Sequence, residues 1–354
     1  MKNLKIIGIM SGTSLDGLDI ALCKFNYFNE RWNYELVQAV TYPYEKKWKE
    51  RLSEAASIDA FHFIKLHKEY GKYVGEKINL FLKSNHEEAN LIASHGHTIF
   101  HRPEEGLTFQ IGDGAYIAAE TGITTISDFR NLDVALGGQG APLVPIGDGL
   151  LFGDYSFCLN LGGFANISFH HDDRRLAFDI CPVNIILNPL AGVLGKEYDR
   201  NGEIGRQGTI CQELLDNLNN LDYYKLPAPK SLGKEWIESC FEPLLDKFAI
   251  SIPDKMRTIY EHVSTQLARA MNTELPAKVL VSGGGAFNTY LIELLQGKTK
   301  NEIVIPPKNV VEYKEALIFA FLGLLRWQNK NNCLASATGA RHDNSGGCIY
   351  LMNK

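Results

Sequence analysis

Residues 8–19 hold an unusual density of groups that bind anions and metals: Ser11, Gly12, Thr13, Ser14, Leu15, Asp16, Gly17, Leu18 and Asp19 follow one another after Gly8. Two glycines let backbone N–H groups come close to an anion, and three hydroxyls add donors. Asp16 and Asp19 are suited to holding a hydrated Mg²⁺ through water. Apolar β-type runs at 4–10 and 20–25 flank the segment, so it reads as the turn of a β-hairpin that cradles phosphate. A Walker loop would instead run from strand to helix and place a lysine after the glycines. The plainer alternative is an ordinary hairpin with polar turn residues, but a two-residue turn needs neither so long a polar run nor two carboxylates.

Two further glycine elements follow. Asn160-Leu161-Gly162-Gly163 joins strand-like runs at 157–161 and 165–169, and reads as a second phosphate turn. The strand 278–281 runs into Ser282-Gly283-Gly284-Gly285 ahead of a helix expected over 288–295. There an adenine or ribose can lie on bare backbone, unless the glycines serve only a tight crossover. Arg130, after Ser127-Asp128-Phe129, offers a guanidinium for a carboxylate ligand or for a salt bridge to Asp128 or Asp133. His95, His97 and His101 have no carboxylate or thiolate cluster beside them, so a zinc site is not expected.

The elements that must position these groups follow one plan twice. Strand runs at 4–10, 20–25 and 34–41 precede helical periodicity over 46–82. Runs at 157–161, 165–169 and 175–178 precede helical sequence from Asn184. A short strand at 90–94 ending in the histidines, a helix at 112–120 and a strand at 124–127 lie between. The expected architecture is α/β, with two related lobes whose hairpins face each other across an interlobe nucleotide cleft. The lobes are expected at 1–135 and 136–330, with 331–354 a candidate to return to the first. The loop at 136–145 is a hinge candidate.

At 354 residues, 45% hydrophobic and 22% charged, the chain has the profile of a globular protein large enough for two cores. A net charge of −5 without any basic run speaks against nucleic acid or an anionic membrane as partner. The first residues lack a secretory pattern, and seven scattered cysteines without a C-x-x-C pair suggest reduced thiols, so a cytoplasmic location is expected. The apolar run at 316–327 is too short to span a bilayer and reads as a core helix.

The three glycine elements in this order resemble the sugar kinase and actin-like ATPase superfamily, which implies that the two lobes are actin-like (ribonuclease H-like). Narrower words are Gly8-x-Met10-Ser11-Gly12-Thr13-Ser14-x-Asp16-Gly17-x-Asp19, Ser94-His95-Gly96, Ser127-Asp128-Phe129-Arg130, residues 137–145, residues 160–166 and Tyr198-Asp199 to Gly202. Together they resemble the anhydro-N-acetylmuramic acid kinases over nearly the whole chain. The resemblance implies an enzyme that uses ATP and Mg²⁺ to open 1,6-anhydro-N-acetylmuramic acid with water and phosphorylate O6. The products are N-acetylmuramic acid 6-phosphate and ADP, in peptidoglycan recycling, and members are commonly homodimers.

It also implies roles. Asp179, expected at the end of a strand opening into a helix N-terminus, matches the general base for water; on sequence alone it is as readily a helix-dipole carboxylate. His95, His97, Arg130 and Glu315 match positions near the sugar, with the lactyl carboxylate a natural partner of Arg130. Glu315 reads equally as a first-turn carboxylate of its helix. Around the base this chain departs from the family pattern: Ile180, Cys181 and Val183 replace threonine and two glycines, and Asn188 stands for an aspartate. Two alternatives therefore stay open, a kinase of this fold acting on another sugar and a nucleotide-binding sensor without turnover.

Overall fold

The computed structural model describes residues 4–12, 14–172, 174–228 and 230–352. Thr13, in the first turn, lies outside them. Contacts divide the chain into two units, Met1–Leu151 with Tyr313–Lys354, and Phe152–Glu312. These limits differ from those expected at 135 and 330. Buried Asp133 holds the glycine loop to the C-terminal segment, accepting from Gly140 N (2.8 Å), Thr338 Oγ1 (2.8 Å), Asn344 Nδ2 (2.8 Å) and Cys333 Sγ (3.0 Å). The segment at 136–151 and the C-terminal residues thus belong to one body. Helix Lys308–Trp327 crosses the other limit and departs from helical geometry at Tyr313 (φ −114°, ψ 16°), where the division falls.

The first unit is built on a seven-stranded sheet in the order β12-β6-β4-β1-β2-β3, with β5 also paired to β4. Its strands are β1 (Lys5–Ser11), β2 (Gly17–Phe28), β3 (Arg31–Pro43), β4 (Leu91–Arg102), β5 (Leu107–Ile111), β6 (Thr125–Ser127) and β12 (Cys348–Tyr350). The second unit has the order β11-β10-β7-β8-β9, from β7 (Phe157–Leu161), β8 (Phe164–His171), β9 (Arg174–Pro182), β10 (Lys278–Ser282) and β11 (Glu302–Val304). In each, an antiparallel meander of three strands is followed by parallel strands added beside the first. Both are ribonuclease H-like sheets, and the repeat expected from the sequence is present.

Alternation explains the layering of the first unit. Ile7, Ile9, Ile20 and Leu22 pack with Tyr70, Val74 and Ile78 of helix Ala60–Asn85. Gly8 faces the other way, where helix Lys308–Trp327 lies so close that a Cβ would sit 1.8 Å from Ala316 O. Phe319, Phe321 and Leu322 of that helix are fully buried, each burial contributing roughly 1.5–3 kcal/mol. The helix is thus a core helix, longer than the apolar run at 316–327 that foreshadowed it. Among the described residues no helix is long and apolar enough to cross a membrane.

Candidate active site

In the first unit β1 and β2 meet around residues 12–16. Leu15 takes a left-handed conformation (φ 59°), its N–H donating to Gly12 O, and Ser14 and Asp16 are exposed. Asp19 Oδ1 accepts from Thr41 Oγ1 at 2.6 Å. Leu18, within the same motif, is a core residue.

Ser11 is buried, and its hydroxyl is turned inward. It lies 2.8 Å from His97 Nδ1 and 2.7 Å from Tyr44 Oη, which is 2.5 Å from Tyr70 Oη. The direction that gives all three hydroxyl protons an acceptor runs from Tyr70 to Tyr44 to Ser11 to His97. His97 then carries its proton on Nε2. Desolvation by burial lowers His97 to about 4 and raises Tyr44 to about 12, so the row is neutral near pH 7. Contact between residue 11 and a ligand is left to its backbone.

The strand at 90–94 was expected to end at the histidines; β4 instead continues through them to Arg102. Ile9 pairs with Ser94 and Ser11 with His97, so β4 carries one extra residue at a bulge where Gly96 has φ 77°. The bulge reverses alternation. His95 packs on Phe319 of one flanking helix and His97 on Tyr70 of the other.

His95 holds Arg130. Its Nε2 accepts from Arg130 Nε at 2.9 Å while Nδ1–H donates to Gly96 O at 2.8 Å, and Arg130 also donates to Gly140 O at 2.6 Å. The salt-bridge alternative for Arg130 thus gives way: Asp128 accepts from Asn131, and Asp133 serves the loop. Burial first, then the Arg130 charge, holds His95 well below the usual imidazole range. Burial also lowers Arg130 to about 10, with Glu315 foremost among the charges opposing that shift.

Glu315 was expected to open its helix; it lies inside Lys308–Trp327, two residues past the irregular Tyr313. The residue is exposed, with Arg130, Lys314, Asp19 and Asp148 near enough to act on its charge. Desolvation raises its pKa, against Arg130 and Lys314, while Asp19 and Asp148 add to the rise. The first unit therefore couples Asp19, Arg130 and Glu315 electrostatically. Lys314 and Asp148, both buried, form a 2.8 Å ion pair beside them that the sequence did not suggest.

In the second unit the Gly162-Gly163 turn is held through main chain. Gly162 N–H donates to Phe164 O, while the carbonyls of Gly162 and Gly163 accept from Asn184 N and from Val183 N and Ile185 N. The first amides of helix Asn184–Val193 are thus spent on the turn. Asn160 stands opposite Ser282 at the ends of β7 and β10. The helix expected over 288–295 runs Thr289–Gln296, after a 3₁₀ turn Gly284–Phe287 and an Asn288 cap.

Space sorts the glycines. A Cβ at Gly17 would lie 2.7 Å from Tyr42 O, at Gly283 2.6 Å from Asn160 Oδ1, and at Gly285 2.7 Å from the Leu161 Cβ. Those three are required by packing. At Gly12, Gly162 and Gly163 nothing would come nearer than 3.4 Å, and at Gly284 nothing within 4 Å. None of these four has positive φ, so packing does not demand glycine there; both main-chain groups of Gly162 are already hydrogen-bonded, which leaves bare backbone for a ligand at Gly12, Gly163 and Gly284.

Asp179 is not at a strand end before a helix; β9 continues to Pro182. Asn166 pairs with Asp179 and Ala165 with Cys181, leaving Ile180 as the extra residue of a bulge. The helix-dipole alternative falls with that placement, since helix Asn184–Val193 starts five residues on. Asp179 Oδ2 accepts from Leu232 N at 2.9 Å. Burial raises its pKa and the Leu232 bond opposes this. Ile180, Cys181 and Val183 lie in the hydrophobic core, and Asn188 is exposed. Among the described residues no cluster of three or more His, Cys, Asp or Glu could hold a metal ion.

Two ribonuclease H-like sheets, each with a glycine-bearing hairpin turn, define the class of actin-like ATPases and sugar kinases. Within it, the chain belongs to the anhydro-N-acetylmuramic acid kinase family, whose profile matches residues 4–352. It is 34% identical over 363 residues to the anhydro-N-acetylmuramic acid kinase of Hydrogenovibrio crunogenus, covering 97% of each chain. To that of Haemophilus influenzae it is 33% identical over 381 residues, covering 99% of this chain and 98% of the relative. To that of Saccharophagus degradans it is 34% identical over 381 residues, covering 99% and 100%.

Proposed function

We propose that the chain is an ATP-dependent kinase of 1,6-anhydro-N-acetylmuramic acid, acting in peptidoglycan recycling. The observation that carries this reading is the family match across residues 4–352. In the proposed reaction Asp179 takes a proton from water, whose oxygen bonds to the anomeric carbon as the C1–O6 bond breaks. O6 then takes the γ-phosphoryl group of ATP, so capture by phosphorus replaces the acid of an inverting glycosidase. The products are N-acetylmuramic acid 6-phosphate and ADP.

The bare backbone at Gly12, Gly163 and Gly284 supports nucleotide-binding roles for the three glycine elements. Arg130, held by His95 and Gly140, is proposed to receive the sugar's carboxylate, with His97 and Glu315 near it. Asp16 and Asp19 supply the oxygen ligands a hard cation needs and are proposed to hold Mg²⁺ through water; the ion would neutralise charge on the phosphates. A different sugar is not favoured, because three of the four atypical residues around Asp179 are turned into the core.

Incubation with ATP, Mg²⁺ and the anhydro sugar in ¹⁸O-water tests the reading. ADP release that requires this sugar, with label at the anomeric carbon, is expected. ADP release only with another sugar, or none at all, overturns it. Asp179→Asn is expected to bind ATP as before and to lose about 10²–10⁴-fold in kcat; loss of ATP affinity instead would give Asp179 to the metal or the fold.

A further inference from the structure

β9 is the edge of its sheet, and the outward N–H and C=O of an edge strand ordinarily face water. At Asp179 both are taken. Its N–H donates to Lys230 O at 3.0 Å, and its carbonyl accepts from Tyr223 Oη at 2.5 Å. With the Leu232 amide on Oδ2, one peptide segment therefore holds Asp179 at three points. No hydrogen bond among the described residues engages Oδ1.

The segment is itself anchored. Lys230 Nζ donates to Tyr223 O at 3.0 Å and lies 4.6 Å from the centre of the Tyr223 ring. Next to it, Tyr224 Oη is 2.8 Å from Nε2 of buried His262, whose Nδ1 is 2.8 Å from Asn219 Oδ1. Asn219 Oδ1 can only accept, so Nδ1 carries the proton and Tyr224 donates to Nε2. Trp236 packs against both tyrosines.

We propose that Tyr223, Lys230 and Leu232 together form a strap that positions Asp179, fixing Oδ2 against the Leu232 amide and leaving Oδ1 to take the proton from water. This rests on the reading of Asp179 as the base. Tyr223 and the Leu232 amide are positioning groups, since neither touches the reacting atoms. The strap also tunes the base: the Leu232 N–H favours the carboxylate while burial disfavours it. Tyr223 and Cys181 are the titratable groups that feel the Asp179 charge. Across the strand stands uncharged Asn166, and the Lys230 ammonium is directed to the Tyr223 carbonyl.

Leu232→Pro removes the amide hydrogen, and Leu232→Ala keeps it while removing the side chain. With Leu232→Pro, the acid limb of kcat/KM is expected to move up by about half a pH unit or more, with kcat down about tenfold and KM for ATP unchanged. Leu232→Ala should keep the wild-type limb. Tyr223→Phe, nearly isosteric, should shift the limb the same way by less, and it decides the matter if the proline variant does not fold. Wild-type kcat and acid limb in Leu232→Pro and Tyr223→Phe overturn the strap while Asp179→Asn stays inactive. An active Asp179→Asn overturns the base reading on which it rests.

Discussion

The two hairpin turns, β1–β2 and β7–β8, occupy the same place in sheets of the same strand order, yet they are held by different means. The first is backed by side chains: Ser11 donates a hydrogen bond to His97 and accepts one from Tyr44, which accepts from Tyr70. The second is backed by main chain, its carbonyls capping helix Asn184–Val193. A longer turn with bulky neighbours needs fixing from beneath, whereas a two-glycine turn is fixed by the next helix. Topology therefore places a turn, and local chemistry decides how stiff it is.

Glycine substitutions sharpen the contrast most. Gly283→Ala meets Asn160 Oδ1 and Leu161 O at a φ of 81°, and a stability loss of roughly 2–4 kcal/mol is expected from denaturant unfolding. Gly162→Ala has room, so stability should stay within about 1 kcal/mol while ATP affinity falls. Equal losses of stability would erase the distinction between packing glycines and open ones.

A smaller effect should follow cutting the hydroxyl row. Tyr44→Phe leaves the Tyr70 hydroxyl without its acceptor and Ser11 with His97 alone, at about 1–3 kcal/mol. Urea unfolding measures that loss, and a KM for ATP raised more than by any change in β7–β8 would tie the row to the first turn. An unchanged KM would make the row purely structural.

A last contrast is in pH. His97, in the first unit, and His262, in the second, are lowered by burial from 6.5 to about 4 and about 3. As pH falls below 6.5 the unfolded chain takes up these protons first, so the stability due to the neutral imidazoles is complete above 6.5 and declines toward those values. Tm is expected to fall over that window, and less steeply in His97→Gln. An identical slope in that variant would show that His97 is not among the groups responsible.

Much of the candidate site could be proposed from sequence because its signals are local. The run from Ser11 to Asp19, Asn160 with its glycines, and Arg130 after a short strand are contiguous words. What could not be read depends on partners far apart in sequence. Ser11 and His97 are 86 positions apart, and Asp179 and Leu232 are 53 apart. Asp179 looked like a strand end because Ile180-Cys181-Pro182 breaks the alternation, which the structure explains as a bulge. The contact division falls at 151 and 313 and not at 135 and 330, because Asp133 binds the Gly140 N–H of the following loop and helix Lys308–Trp327 breaks its geometry at Tyr313.

By itself the sequence determined the duplicated strand plan, the three glycine elements and the family, all written in short periods and contiguous motifs. Tertiary structure alone decided which glycines are free, which way the Ser11 hydroxyl faces, which tautomers His95 and His97 take, and what holds Asp179. Each of those depends on a single hydrogen bond or a van der Waals gap between distant segments, a quantity that composition and spacing do not encode.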